Sequence, residues 1–260
     1  MKNTIHIGII GNYKGHLSAA EQVEESDEPN GIFVIHNTDE DTLTHREEIK
    51  YPAQGTNVDI EPEFILRCDL SYQENRLANI EVKQMTIGND FTIRQLEGSE
   101  KISQRKAWGG CSKGLHDRWW DVSSFTRTQY GDEIKLVSYI EREGEFYLST
   151  PMVDFSETKL FFDELLSWII DRINNQQDQG MYEKILPELE RLGFPDELIL
   201  FTGAPNYTQW GEKNFLNRGD TVHIAAFNEE HISKAKIKEN FSCQNLMNNL
   251  DVLQFSQRIV

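Results

Sequence analysis

Nine short runs dense in β-branched and aromatic residues, each closed by turn chemistry within a few positions, constrain this chain more than any other feature. They are too short for core helices, and their number demands a strand-rich fold. The first, Ile5-His-Ile-Gly-Ile-Ile10, stops at Gly11-Asn12; residues 31–35, 64–66, 80–82, 91–93, 134–140, 146–148, 198–201 and 221–224 follow. Helical periodicity is confined to the stretch after residue 155. Ser156 is read as the cap of a helix carrying Phe161, Leu165, Trp168, Ile169 and Ile173 at helical spacing. A second helix is expected over about Met181 to Leu192, with Pro187 marking a kink or a late start and Gly193 as a left-handed cap. Between them residues 174–180 form a polar loop, and no internal repeat is present. The pattern is one of many strands with a few inserted helices.

A chain of 260 residues can bury a substantial core without covalent staples. Its three cysteines, Cys68, Cys111 and Cys243, are odd in number and lack CxxC spacing, which suits free thiols in a reducing compartment such as the cytoplasm. No apolar run is long enough for a signal peptide or a spanning helix, so a soluble protein is expected. With 43 acidic against 26 basic residues the formal charge is −17, which repels phosphate backbones and anionic membranes and removes both from the expected partners. The acidic runs at 21–28 and 39–41 are solvated charge and are assigned no chemistry.

Three constellations bear on function. In Asp59-Ile-Glu-Pro-Glu63 a strand would set Asp59, Glu61 and Glu63 on one face, where a hard cation would neutralise them. A solvent-facing strand edge, which Pro62 would also suit, is the plainer alternative. Gly88-Asn-Asp90, followed by Thr92 and Arg94, aligns an oxygen ligand with a guanidinium able to clamp a carboxylate bidentately; a structural Asp–Arg pair is the competing reading. Gly11-Asn-Tyr-Lys-Gly-His16 delivers a histidine on a glycine-flanked loop, a place where general bases are carried. His36, His45, His116, His223 and His231 have no companion motif and read as structural or surface groups.

In this order the constellations resemble the fumarylacetoacetate hydrolase family. Its G-x-N-Y-x-x-H-like opening is matched by the segment ending at His16, its proline-ended strand by Ile49-Lys-Tyr-Pro52, and its D-Y-E-x-E-L by Asp59-Ile-Glu-Pro-Glu-Phe64. Thr86-Ile-Gly-Asn-Asp-Phe-Thr-Ile-Arg94 is similar to T-x-x-N-D-x-S-x-R, and the following lysine is placed at Lys106. Gly144-Glu145 with Ser149-Thr-Pro-Met-Val-Asp-Phe155, then Leu200-Phe-Thr-Gly-Ala-Pro205 and Arg218-Gly-Asp220, complete the set. The resemblance implies an α+β fold, a β-rich mixed sandwich or roll, with residues 1–48 carrying the histidine loop and 49–260 forming the metal-binding catalytic domain. It implies a homodimer with Mg²⁺, Mn²⁺ or Ca²⁺ held by Glu61, Glu63 and Asp90. The catalytic residues would be His16, which activates water, Lys106, which stabilises an enolate, and Arg94; Tyr13, Thr202 and Gly203 would bind substrate. The implied protein is a divalent-metal-dependent hydrolase or lyase acting on a small, anionic 1,3-dicarbonyl or 2-oxo acid. The alternative is a non-hydrolytic metal- or metabolite-binding protein on the same fold.

The chain departs from the family pattern in four places. Ala19 stands where hydrolytic members carry the glutamate that partners the histidine, and Glu21 is displaced from that position. Glu97 replaces a glutamine, where added negative charge would oppose an anionic substrate. The spacing from Asp90 to Lys106 is short, which makes Lys113 a rival for the lysine role. An insertion over about residues 174–192 and an unmatched tail after about Ile232 are expected to form a lid, an interface or a divergent branch.

Overall fold

The structure, a computed structural model, describes residues 3–15, 26–35, 43–45, 47–109 and 111–260. The first half contributes β1 (Thr4–Ile10), β2 (Gly31–Val34), β3 (Leu43–Thr44), β4 (Glu48–Ile49), β5 (Thr56–Asp59), β6 (Pro62–Gln73), β7 (Arg76–Asp90), β8 (Thr92–Gln95), β9 (Lys113–Leu115) and β10 (Trp120–Asp121). The second half adds β11 (Ile134–Arg142), β12 (Glu145–Val153), β13 (Glu197–Phe201), β14 (Thr221–Asn228) and β15 (Val252–Ile259). Among the described residues five α-helices join them: α1 (Ile102–Lys106), α2 (Arg127–Tyr130), α3 (Phe162–Asn175), α4 (Leu186–Arg191) and α5 (Lys234–Ser242). The fold class is α+β, as the sequence implied.

The larger sheet runs β2-β1-β13-β6-β7-β9-β3, with β10 also pairing β7; the second runs β12-β11-β14-β15-β4, and β5 and β8 form a two-stranded ribbon. Most neighbours are antiparallel, while β1–β13, β3–β9 and β15–β4 are parallel. β11 and β14 lie against β6 and β7, so the main core is a layer between the two sheets. Such packing explains the alternation of buried and exposed residues along the outer parts of the strands. The β6–β7 hairpin closes over Glu74 and Asn75, both in the left-handed region with φ of 51° and 60°, as a two-residue turn of the twist-compatible kind requires. β1 belongs to the larger sheet, between β2 and β13.

Helical spacing identifies α3 correctly: Leu165, Trp168, Ile169 and Ile173 are its buried stripe, and they face β7 and β2. Its start differs from the expectation. Ser156 lies in a short 3₁₀ turn, Phe155–Glu157, where its backbone N–H and hydroxyl both donate to Asp154, and Phe161 occupies the capping position of α3. The cause is an aromatic cluster. Phe161 packs 4.6 Å from Phe155 and 5.3 Å from Phe125 between ring centroids, which holds the chain in a turn until residue 162. α4 starts late, with Pro187 in its first turn and Gly193 at φ 71°, as Pro and Gly chemistry predict.

The tail after Ile232, expected to form a lid, an interface or a divergent branch, is built into the second sheet: α5 packs Ile237 and Phe241 on it, and β15 is inserted between β14 and β4. Gln254 disguises this strand in the sequence. Its amide is buried, accepting from Asn240 Nδ2 and the Met247 N–H and donating to the Ile237 carbonyl, so a polar residue stands at a core position. No helix among the described residues is long and apolar enough to cross a membrane.

Candidate metal centre

The β6–β7 hairpin and the β5–β8 ribbon meet at residues 59–63 and 89–92. Asp59, Glu61 and Glu63 do not share one continuous strand face, contrary to expectation: β5 ends at Asp59 and Pro62 opens β6, so Ile60 and Glu61 form the link between strands. The break results from Pro62, which has no N–H to continue the ladder. Glu61 is fixed by its backbone instead. Its N–H donates to Asn89 Oδ1 at 2.9 Å, and its carbonyl accepts from the Asp90 N–H at 2.9 Å. Glu63 pairs with Gly88 across the hairpin, and Asp90 is the last residue of β7.

This arrangement brings one oxygen each of Glu61, Glu63 and Asp90 within 4.8 Å of one another, on side chains no more than 2% exposed. Three convergent oxygen donors of this kind suit a hard divalent cation such as Mg²⁺, Mn²⁺ or Ca²⁺. Among the described residues this is the one group of three or more potential ligands that converges so. The Gly203 N–H donates to Glu63 Oε2 at 2.7 Å. Burial first, then the Asp90 and Glu61 carboxylates, push the Glu63 carboxyl well above the ordinary glutamate range.

Three cations surround the carboxylates. Lys106 Nζ donates to Glu61 Oε2, to Asp90 Oδ2 at 3.0 Å and to Thr92 Oγ1 at 3.0 Å. Lys113, fully buried and opposite Asp90 in the β7–β9 register, lies 2.6 Å from Asp90 Oδ1 and donates to the Lys106 carbonyl. The Phe33 ring lies 5.7 Å from one ammonium and 5.9 Å from the other. Burial lowers the Lys106 pKa, but Asp90, Glu61 and Glu63 together outweigh it and the net shift is upward; for Lys113 burial prevails and the shift is downward. Both rivals for the lysine role are therefore at the site, and Lys106 alone of the two bridges Glu61 and Asp90.

Arg94 lies beside this cluster and is engaged with the protein. Its Nε donates to Asp59 Oδ2 at 2.6 Å, and its Nη2 donates to Glu61 Oε1 at 2.9 Å and to the Tyr207 hydroxyl at 2.8 Å. Its partners are Asp59 and Glu61, not the Asp90 of the plainer sequence reading. Tyr207 in turn donates to the Ile60 carbonyl at 2.9 Å. No sequence signal pointed to this tyrosine, which follows the Thr-Gly-Ala-Pro string without belonging to it.

The other expected site residues are placed as follows. Tyr13 is buried, and its hydroxyl lacks a hydrogen-bond partner among the described residues. Burial first, then Glu63, Glu157 and Asp154, raise its pKa. Thr202 donates its hydroxyl to the Phe64 carbonyl at 2.9 Å, and Gly203 gives its N–H to Glu63, so both groups are used by the protein. Glu97 is solvent-exposed. His16, Ala19, Glu21 and His36 lie outside the described residues. His45, His116, His223 and His231 bond to groups outside the carboxylate cluster, in keeping with structural or surface roles.

Curated proteins offer no sequence match to this chain. Solved structures do match it in fold. A protein of Oleispira antarctica assigned as a fumarylacetoacetate isomerase/hydrolase aligns with a TM-score of 0.59 at 13% identity over 99% of this chain and 92% of its own. A 2-keto-3-deoxyarabinonate dehydratase aligns with a TM-score of 0.60 at 16% identity over 100% and 75%. A 2-keto-3-deoxy-D-arabinonate dehydratase complexed with magnesium and 2,5-dioxopentanoate gives 0.57 at 16% over 98% and 72%. At these identities the likeness establishes the fold, which is that of fumarylacetoacetate hydrolase family proteins. At the level of sequence, residues 19–259 match one family throughout, and the chain belongs to it: DUF5718, a family of unknown function.

Proposed function

We propose that this protein is a divalent-metal-dependent hydrolase or lyase acting on a small 1,3-dicarbonyl or 2-oxo acid. The convergence of buried Glu61, Glu63 and Asp90 oxygens beside two buried lysines carries this reading. The magnesium and 2,5-dioxopentanoate held by a dehydratase of the same fold support it.

Glu61, Glu63 and Asp90 would hold the cation, which when bound supplies Lewis-acid polarisation of a substrate carbonyl. The chain's own groups supply the rest. Lys106, on a flexible stem beside the carboxylates, offers a charged donor to negative charge developing on the substrate. Arg94 holds the Glu61 carboxylate in place and completes a positive rim for an anionic substrate. The Tyr13 hydroxyl offers a hydrogen bond to a substrate oxygen, and the Thr202–Gly203 turn fixes Glu63. His16, by its place in the sequence motif, is the base proposed to activate water. Decarboxylation and dehydration need no such water, so they fit a chain with Ala19 where hydrolytic members of the fumarylacetoacetate hydrolase family carry the glutamate that partners the histidine.

The test is ultraviolet absorbance loss with a panel of acylpyruvates, oxaloacetate and 2-keto-3-deoxy sugar acids, with Mg²⁺ or Mn²⁺ and again after chelation. Metal-dependent turnover abolished in Glu61→Gln is expected. Silence toward the whole panel by folded, metal-binding protein would favour the second reading, a metabolite-binding role on the same fold. Unchanged turnover in His16→Ala would rule out His16 as the essential base.

A further inference from the structure

Two of the three carboxylates that would hold a metal, Glu61 and Asp90, are already paired with the chain's own cations. Of Glu61, Oε1 accepts from Arg94 and Oε2 from Lys106; of Asp90, Oδ1 faces Lys113 at 2.6 Å and Oδ2 accepts from Lys106. Every oxygen of both side chains therefore faces a cationic group. Arg94 and Lys113 each touch one of these two carboxylates, whereas Lys106 bridges them and takes Thr92 Oγ1 as a third oxygen partner. Its ammonium thus has a small oxygen shell of its own, with the side chain 7% exposed.

The charge balance singles out the same residue. Four buried carboxylates, Asp59, Glu61, Glu63 and Asp90, face three cations, Arg94, Lys106 and Lys113. A dication entering while Lys106 withdraws brings the remaining groups and the ion to formal neutrality. Entering beside Lys106, it would leave excess positive charge in a buried site, where repulsion is poorly screened. Lys106 can yield: it ends a single-turn helix, and its flexible stem can swing without moving the sheet.

We propose that Lys106 is a tethered counter-cation of the carboxylate cluster, holding Glu61 and Asp90 together in metal-free protein and displaced when a divalent cation binds, so that this one residue sets metal affinity. The inference rests on the metal-binding reading above and adds a competitor built into the chain.

The test pairs Mn²⁺ titration calorimetry with thermal unfolding in chelator, for the wild type and Lys106→Met. The variant is expected to bind Mn²⁺ at least about tenfold more tightly, because no ammonium has to be displaced. In chelator its midpoint should fall by about 5 °C or more, and Mn²⁺ should restore it. Equal or weaker Mn²⁺ binding in Lys106→Met overturns the inference while leaving metal binding intact. Absence of binding by both proteins overturns the inference and the metal reading together. Should the variant not fold in chelator, reductive methylation of the wild type with peptide mapping decides. Mn²⁺ should raise modification at Lys106 and leave Lys113 protected, and unchanged labelling of Lys106 overturns the proposal.

Discussion

Arg94 spans Asp59, Glu61 and Tyr207 with two of its nitrogens, a reach that depends on the planar guanidinium. Arg94→Lys should keep the charge yet lose at least one of these partners, lowering stability by about 1–3 kcal/mol in urea unfolding. Gly203 is equally constrained. Its φ is 96°, and a Cβ there would lie 2.9 Å from the Asn12 Cβ, so Gly203→Ala should cost about 1–3 kcal/mol. Because the Gly203 N–H anchors Glu63, the same variant should also bind Mn²⁺ more weakly, a loss that calorimetry would read. At this scale the converging carboxylates were legible through resemblance: Glu61, Glu63 and Asp90 stand in strings similar to a known family's, with Lys106 after them. Tyr207 was not, since a tyrosine far along the chain carries no sign of the arginine it will meet.

The segment at 174–192, read from sequence as an insertion, is an anchor for the strand and helix that flank the site. Gln176 accepts from the Ile32 N–H at 2.9 Å and donates to its carbonyl at 2.7 Å, as a strand neighbour would at the edge of β2. The Ile102 N–H donates to the Met181 carbonyl, and Lys101 reaches Asp178 Oδ1 and the carbonyls of Gly180 and Tyr182, fastening the start of α1, which ends at Lys106. Gln176→Leu strands two buried backbone groups and should destabilise by about 2–3 kcal/mol, measured as a shift in chemical denaturation midpoint. β15 makes the opposite point: a strand flanked on both sides by β14 and β4 cannot be dispensed with. Chain cut after Asp251 should lose cooperative thermal unfolding, and retention of a sharp transition would contradict the placement of β15 inside the second sheet.

For the whole molecule, burial of His6 in β1 couples stability to pH. Burial pushes its imidazole down from 6.5 to about 4, so between those values the unfolded chain binds a proton that the folded chain refuses. Stability from this group is fully present above about pH 6.5 and lost as pH falls toward 4, by up to about 3 kcal/mol. His116 and His223, also depressed chiefly by burial, act in the same direction. Denaturation midpoints at pH 7 and pH 5 should differ, and His6→Gln should flatten that difference. The sequence by itself determined the strand-rich class, the stripe of α3 and the punctuation of α4 by Pro187 and Gly193, because each is written in local periodicity or in adjacent residues. Spacing left the carboxylates of the centre open, and only the resemblance of their strings to those of a known family singled them out. Tertiary structure alone decided the sheet order, the role of the tail, and which cation faces which oxygen. Those depend on contacts between residues far apart in the chain, such as Lys106 with Glu61, whose pairing no local pattern encodes.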